Sequence, residues 1–354
     1  MKGYKAFKPG LICRDKQYEE KAIATEERAE PCKCGIHFCE NPFDVLDYYH
    51  LITDEGKFTE FAEVEALDEP VTDDKKKYCT TKLKVGAKLS FAGFIRACID
   101  FVFEKTVNSM PDSSGYYAKT GSSGDSAQIG SSGDYAQIGS SGDSAQIGSS
   151  GYYAKTGSSG YSAKIGSSGN YAKIGSSGYS AKIGSSGDSA KIGSSGDYAQ
   201  IGSSGNSAKI GSSGNSAQIG SSGDSAQIGS SGNSAKTGSS GNSAKIGSSG
   251  NSAQIGSSGD YAQIGSSGYS AKIGSSGDSA KIYSSGEDSV IMCAGINSRA
   301  KAKKGSWITL TEWKRDPNKD RYVPVCVKTE QVDGERIKED TFYQLIDGEF
   351  KEVE

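Results

Sequence analysis

From Tyr116 to Ser285 the chain repeats a nine-residue unit, Gly-Ser-Ser-Gly-[Asp/Asn/Tyr]-[Ser/Tyr]-Ala-[Lys/Gln]-[Ile/Thr], with alanine at every ninth position from Ala118 to Ala280. Nineteen alanines in one phase require each unit to occupy the same local environment, as in stacked repeats. A flexible Gly/Ser linker has no reason to keep alanine and isoleucine in phase. The pattern therefore predicts a solenoid.

Alternation within the unit predicts a strand in which alanine and isoleucine point inward. The Ser/Tyr and Lys/Gln positions then face solvent. We expect the Gly-Ser-Ser-Gly tract to form the turn, with glycine supplying positive φ. One unit is too short to close a coil, so the sequence predicts two units, eighteen residues, per coil of a flattened two-sheet β-roll. Nineteen units would make about nine coils.

The tyrosines at the sixth position support an eighteen-residue coil. Tyr117, Tyr135, Tyr153 and Tyr171 are separated by eighteen residues each, whereas Tyr198 is out of phase. We expect the first four to stack as an aromatic ladder along one face, and they are the candidate binding residues of the rod. Duplication of an eighteen-residue unit would also produce this spacing.

The predicted fold is mainly β, a parallel β-solenoid flanked by an α+β N-terminal domain with a capping helix and by a small antiparallel β C-terminal domain. The predicted boundaries are 1–88 for the N-terminal domain, 89–111 for the capping helix and linker, 112–286 for the solenoid and 287–354 for the C-terminal cap and β domain.

The flanks carry local signals for these elements. Ser90 is placed to cap a helix in the segment SFAGFIRACIDFVFEK, which has a broad apolar face. We expect this helix to cover the first coil. In the C-terminal segment, Asp333-Gly334 and Asp347-Gly348 predict hairpin turns between alternating strands.

Composition indicates a cytoplasmic protein with no membrane partner. The N-terminus MKGYKAFKPG has no secretory apolar region, and no apolar run approaches the length of a membrane span. The eight cysteines, absent from the repeats, favour reduced thiols over a disulfide framework. A formal net charge of −3 gives no reason to expect nucleic acid as a partner.

No metal cofactor is expected. The nonapeptide length resembles the calcium-binding β-roll of RTX proteins, but the fifth position is Asp in only eight of nineteen units, too few carboxylates for a regular calcium column. Cys32, Cys34, His37 and Cys39 are potential zinc ligands. Because the alternation of this segment predicts a strand whose two faces would separate them, zinc is not expected either.

The segments MKGYKAF, GIHFCENPFDVLDYY and FAEVEAL resemble an uncharacterised domain family of bacteria and phages. Members of that family often flank such repeats and carry a C-terminal piece similar to KKGSWITLTEW. The resemblance covers essentially the whole chain. It implies an architecture and a phage origin in a bacterial host, and no settled activity.

The N-terminal part also resembles the ADP-ribosyltransferase fold more loosely. The match lies in Gly35, His37 and the segment that ends in Tyr48 and Tyr49. It implies a nicotinamide pocket for NAD formed by Gly35, His37 and Tyr48. The chain departs from that family at Tyr4-Lys5, where its first-strand His or Arg should stand, and the glutamates available for transfer chemistry are Glu63 and Glu65.

These observations favour a structural or binding protein over an enzyme. The capped rod would present repetitive Tyr, Ser, Lys and Gln rows to a repetitive partner, such as a protein, a glycan or another rod, and oligomers are compatible with this. One alternative is an ADP-ribosyltransferase-like head carried on a solenoid spacer. Another is an ice-binding or adhesin-like surface.

Overall fold

The computed structural model describes residues 1–53, 58–107 and 115–354. The predicted boundary between residues 111 and 112 lies outside the described residues. Within the described ranges the chain forms an antiparallel N-terminal sheet, one long α-helix and a parallel β-solenoid that ends in antiparallel strands. The predicted fold class is confirmed.

The N-terminal domain is a six-stranded antiparallel sheet in the order β4-β8-β6-β1-β5-β7. A 3₁₀ helix and helix α1 pack on it. The elements are β1 Lys2–Phe7, β2 Ile12–Cys13, β3 Lys16–Gln17, β4 Ile23–Thr25, β5 Ile36–Cys39, the 3₁₀ helix Pro42–Asp47, β6 Glu60–Ala66, β7 Lys77–Thr80, β8 Lys82–Leu89 and α1 Phe91–Val107.

In the solenoid, each repeat contributes one four-residue strand, and the strands alternate between two parallel sheets. Each residue of a strand pairs with the residue eighteen positions away, so the predicted two-repeat coil is confirmed. One sheet contains β9 Lys119–Ser122, β11 Gln137–Ser140, β13 Lys155–Ser158, β15 Lys173–Ser176, β17 Lys191–Ser194, β19 Lys209–Ser212, β21 Gln227–Ser230, β23 Lys245–Ser248, β25 Gln263–Ser266, β27 Lys281–Ser284 and β29 Arg299–Lys301.

The other sheet contains β10 Gln128–Ser131, β12 Gln146–Ser149, β14 Lys164–Ser167, β16 Lys182–Ser185, β18 Gln200–Ser203, β20 Gln218–Ser221, β22 Lys236–Ser239, β24 Gln254–Ser257, β26 Lys272–Ser275, β28 Val290–Cys293 and β30 Trp307–Asp316. These twenty-two strands make about eleven turns, because β28, β29 and β30 continue the parallel pairing beyond the regular repeats.

Alanine and isoleucine fill the space between the two sheets, as the alternation predicts. Alanines such as Ala172 and Ala190 are fully buried, as is Ile201. The strand begins later in the repeat than expected, however. It runs from Lys/Gln through Ile and Gly to the first Ser of the Gly-Ser-Ser-Gly tract, and that serine is buried. The turn therefore comprises the second Ser, the second Gly and the two residues before alanine.

Glycine in the turn has a different role from the one predicted. Among the described residues, no glycine of the repeats has positive φ. Instead, a Cβ built on Gly196 would lie less than 3.0 Å from the carbonyl oxygen of Gly178, and the same holds in successive coils. The second glycine of the tract is required because the backbones of adjacent coils approach too closely for a side chain.

The C-terminal segment closes both sheets with antiparallel strands. These are β31 Arg321–Gln331, which pairs with β30, and β32 Phe342–Ile346 with β33 Glu349–Val353, which extend the sheet that contains β29. The tight turn at Asp347-Gly348 is present. The hairpin predicted at Asp333-Gly334 is wrong, since these residues lie in the loop that connects β31 to β32 in different sheets.

Helix α1 begins after Ser90, whose Oγ accepts the Gly93 backbone N–H at 3.0 Å, as predicted for an N-cap. It was expected over the first coil, and it does contact β10 of that coil. The helix lies along the outer face of the sheet that contains β10 to β18, so it covers the side of the solenoid. On its other side Phe94 stacks on Phe61 of β6 at a centroid separation of 3.7 Å.

The close approach of coils gives a direct test of the glycine role. Gly196→Ala should lower the free energy of unfolding by about 1–3 kcal/mol because the methyl group has no room against the Gly178 carbonyl. Gly193→Ala, in the same repeat, adds a methyl group to open space and should change it by about 0.5 kcal/mol at most. Denaturant unfolding would measure both variants, and equal midpoints would contradict this role.

Candidate functional site

The two sheets of the solenoid have the same repeat sequence but different surroundings. We call the sheet from β10 to β30 the docked sheet, because the N-terminal domain covers it, and the sheet from β9 to β29 the open sheet. On each outer face the eighth position of the repeat forms one row and the first glycine of the next repeat forms the adjacent row.

On the docked sheet, apolar side chains of the N-terminal domain lie over the glycine row. Ile99 of α1 lies against Gly166, and Ile95 lies so close to Gly202 that a Cβ there would come within 3.0 Å of it. Phe58 lies over the same row further along. The absence of side chains in this row makes a groove for the helix.

Polar groups of the N-terminal domain meet the adjacent row of the docked sheet. Asp44 and Asp47, on the 3₁₀ helix, form ion pairs with Lys164 and Lys182, two lysines eighteen residues apart. The Lys182 Nζ also donates a hydrogen bond to the Phe43 carbonyl oxygen at 3.0 Å. Burial lowers the pKa of Lys182, and the nearby Asp47 carboxylate opposes that shift.

The next two members of this row are glutamines, and they meet a backbone carbonyl and a histidine ring. Gln200 Nε2 donates to the Leu46 carbonyl oxygen at 3.3 Å, and Gln218 Nε2 donates to His50 Nδ1 at 2.8 Å. Four consecutive coils are thus matched one by one to the segment that follows β5. This fixes which coils the N-terminal domain covers.

The open sheet has the same rows with nothing over most of them. No atom of the described residues lies within 4 Å of a Cβ built on seven of its glycines. We call this row the glycine trough: Gly139, Gly157, Gly175, Gly193, Gly211, Gly229 and Gly247. At its C-terminal end Tyr283 takes the place of the glycine, and its ring lies over Gly265. The trough is a shallow groove roughly 30 Å long at the usual strand spacing.

A row of lysines follows the trough. Of the ten repeats that contribute strands to the open sheet, seven have lysine at the eighth position and three have glutamine. No ion pair involves these seven lysines within the ranges that the structure describes. The lysine row consists of Lys119, Lys155, Lys173, Lys191, Lys209, Lys245 and Lys281. The repeat supplies no carboxylate at the positions that form this face.

The predicted tyrosine ladder is present beside the lysine row. Tyr117, Tyr135, Tyr153 and Tyr171 follow one another at ring-centroid separations of 4.9–5.3 Å. Because consecutive rings face each other, the ladder presents edges and hydroxyl groups to solvent. Tyr198 lies in the turn that precedes the docked sheet, which explains its different phase. The role of the ladder in binding stays a prediction.

The N-terminal domain contains a cavity of about 490 Å³ that is open to solvent on one side. Gly35, His37 and Tyr48, which the sequence suggested as a pocket, all line it. Glu63 and Glu65 line a different cleft, so they do not join these residues. The cavity also contains residues that sequence reasoning did not select, namely Lys5, Cys13, Tyr18 and Tyr49.

Lys5 is the unusual residue of this cavity. Its side chain leaves β1 on the same face as Phe7, and the residue is only 5% exposed. The Nζ donates to the His37 carbonyl oxygen at 2.8 Å and lies 5.3 Å from the ring centroid of Tyr18. Burial lowers the pKa of Lys5, with smaller opposing effects from Cys13.

Two further hydrogen bonds involve polar groups of the cavity. The Tyr49 hydroxyl donates to Cys13 Sγ at 3.1 Å, and burial raises the pKa of Tyr49. His37 Nε2 accepts the Cys32 backbone N–H at 3.2 Å, and burial together with the positive charges of Lys5 and nearby cations lowers the pKa of His37.

The candidate zinc ligands do not form a metal site in this arrangement. Across residues 1–53, 58–107 and 115–354, no group of three His, Cys, Asp or Glu side chains converges on a position that could hold an ion. All eight cysteines are free thiols in the structure. No helix within these ranges is long and apolar enough to cross a lipid bilayer.

Comparison with known proteins identifies one segment. Residues 1–97 match a domain of unknown function, DUF7666. The matched segment spans the N-terminal sheet, the 3₁₀ helix and the first part of α1, so it includes the cavity and most of the residues that dock on the solenoid, although not Ile99. No curated protein and no solved structure matches the chain.

The docking contacts predict a measurable coupling between Asp47 and Lys182. Asp47→Asn should leave the buried Lys182 ammonium without its carboxylate and loosen the N-terminal domain. The double variant Asp47→Asn with Lys182→Met should be less destabilised than the sum of the two single variants, with a coupling free energy of about 1–3 kcal/mol. Hydrogen exchange of the α1 amides would report the detachment. Lys191→Met on the open sheet is the control, and additive effects of the two changes would contradict the coupling.

Burial of Lys5 should lower the free energy of unfolding by an amount that depends on pH. Because its folded-state pKa lies below the unfolded value near 10.5, the unfolded state binds more protons between these values, and stability should rise with pH there. Lys5→Met should therefore raise the melting temperature near neutral pH and raise it less at alkaline pH. Lys33→Met, on the exposed surface of the same domain, is the control. If Lys5→Met and the native protein had equal melting temperatures at both pH values, burial of Lys5 would not lower stability.

Proposed function

We propose that the protein is a structural rod whose open sheet binds an acidic, amphipathic surface of a partner protein. The observation that carries this proposal is that the two sheets have the same outer rows of glycine and of lysine or glutamine. The chain covers one of them with its own N-terminal domain, and the other offers the same rows without a cover.

The docked sheet shows what such a surface requires of its partner. The glycine row receives branched apolar side chains from a helix, as with Ile95 and Ile99, and the adjacent row pairs with carboxylates, as with Asp44 and Asp47. A partner for the open sheet would supply the same two features at the same spacing.

Charge favours an acidic partner more strongly on the open sheet than on the docked sheet. Seven of ten repeats place lysine in the open row, against four of nine in the docked row. Lysines at regular spacing attract a surface with repeated carboxylates and discriminate against a basic one. The tyrosine ladder adds hydroxyl groups at the edge of this face.

Selection of displayed helical peptides would test the proposal. On the native protein we expect enrichment of peptides with Asp or Glu on one face and Ile, Leu or Phe at i, i+3, i+4 and i+7 on the other. Gly193→Tyr with Gly211→Tyr should weaken their binding at least about tenfold by filling the trough, since Tyr283 shows that the fold accepts a tyrosine in this row.

Charge reversal provides the second arm. Lys173→Glu, Lys191→Glu and Lys209→Glu together should change the enriched charge from acidic to basic, whereas Lys272→Glu on the docked sheet should leave the selection unchanged. Failure to enrich acidic amphipathic peptides, or equal binding by the trough-filled variant, would overturn the proposal. Saturable binding of an acidic polysaccharide with no peptide enrichment would assign the open sheet to a glycan instead.

A further inference from the structure

The cavity of the N-terminal domain holds a buried lysine, Lys5, that has no carboxylate partner among the described residues. Lys5 Nζ has three donors; the His37 carbonyl oxygen accepts one of them, and the Cys13 side chain also interacts with the amine. Within the part of the chain that the structure describes, no carboxylate pairs with Lys5. An ammonium group removed from water in this way is costly unless an anion compensates it.

The charges around the cavity do not supply that anion. Arg14 and Lys77 line it and add positive charge. Asp15 and Glu26 also line it, but Glu26 forms an ion pair with Lys16, and no ion pair joins either carboxylate to Lys5 among the described residues. The lining has four basic side chains against these two carboxylates, so its net charge is positive.

Aromatic side chains form part of the cavity wall. The rings of Tyr18, Phe38, Tyr48 and Tyr49 line it, and Lys77 Nζ lies 4.5 Å from the ring centroid of Tyr48. A volume of about 490 Å³ is within the range of sites for small organic molecules. Flat walls of this kind fit a planar ligand.

We propose that this cavity binds a small planar organic anion, with its carboxylate on Lys5 and its ring between the tyrosine side chains. The anion supplies the missing counter-charge, and a charge-assisted hydrogen bond from Lys5 Nζ orients it. Arg14 and Lys77 attract the ligand to the cavity through the same charge. This site is separate from the open sheet of the solenoid.

Ligand-observed nuclear magnetic resonance and calorimetry on the full chain would test this site. The probes are benzoate, 4-hydroxybenzoate and indole-3-carboxylate, with benzamide as the neutral match of benzoate. We expect the carboxylates to bind, benzamide to bind at least about tenfold more weakly, and Lys5→Met to lose at least about tenfold in carboxylate affinity. Affinity should also fall as the pH rises through the lowered pKa of Lys5, because the amine no longer carries charge.

Lys33→Met is the matched control and should bind the carboxylates as the native protein does. The melting curve of Lys5→Met checks that the domain remains folded, and Arg14→Gln at the cavity gives a second variant with an expected smaller loss. Equal carboxylate affinity in Lys5→Met, or no binding of any carboxylate at millimolar concentration, would overturn the proposal. Binding of nicotinamide in place of the carboxylates would also overturn it and would favour the ADP-ribosyltransferase-like interpretation.

Discussion

The contact between backbones of successive coils is the constraint on which the rest of the structure depends. At the second glycine of each tract, the chain of one coil lies directly against the glycine carbonyl of the coil before it. This contact joins glycines eighteen residues apart and recurs in every repeat, which matches the eighteen-residue register of the strands in both sheets. The straight rows of lysine, glycine and tyrosine on the surface follow from that register.

The repeat made most of the solenoid predictable, because phase, alternation and tyrosine spacing all report the same eighteen-residue coil. The role of glycine was not predictable from composition, since glycine is found both where φ is positive and where two backbones approach closely. The full length of the C-terminal extension was less predictable, because its strands depart from the repeat sequence. The strand Val290–Cys293 replaces the repeat sequence with apolar and sulfur-containing residues, yet it pairs in the same register.

Which sheet the N-terminal domain covers could not be read from the repeats, because both sheets have the same consensus. The N-terminal domain selects one sheet through single side chains at the eighth position and the groups that they contact. These side chains are Lys164, Lys182, Gln200 and Gln218. For the cavity, resemblance selected three lining residues and missed Lys5. A signal was present, since alternation in β1 places Lys5 on the same face as the buried Phe7.

The two sheets also respond differently to a change in repeat number. The N-terminal domain is matched to a fixed set of coils by contacts with Lys164 through Gln218, so the area it covers does not depend on how many coils follow. Each added pair of repeats contributes one strand to each sheet and extends the glycine trough by about 4.8 Å. Expansion of the array therefore lengthens the uncovered face while the docked region stays constant, and the length of that face is the property that repeat number controls.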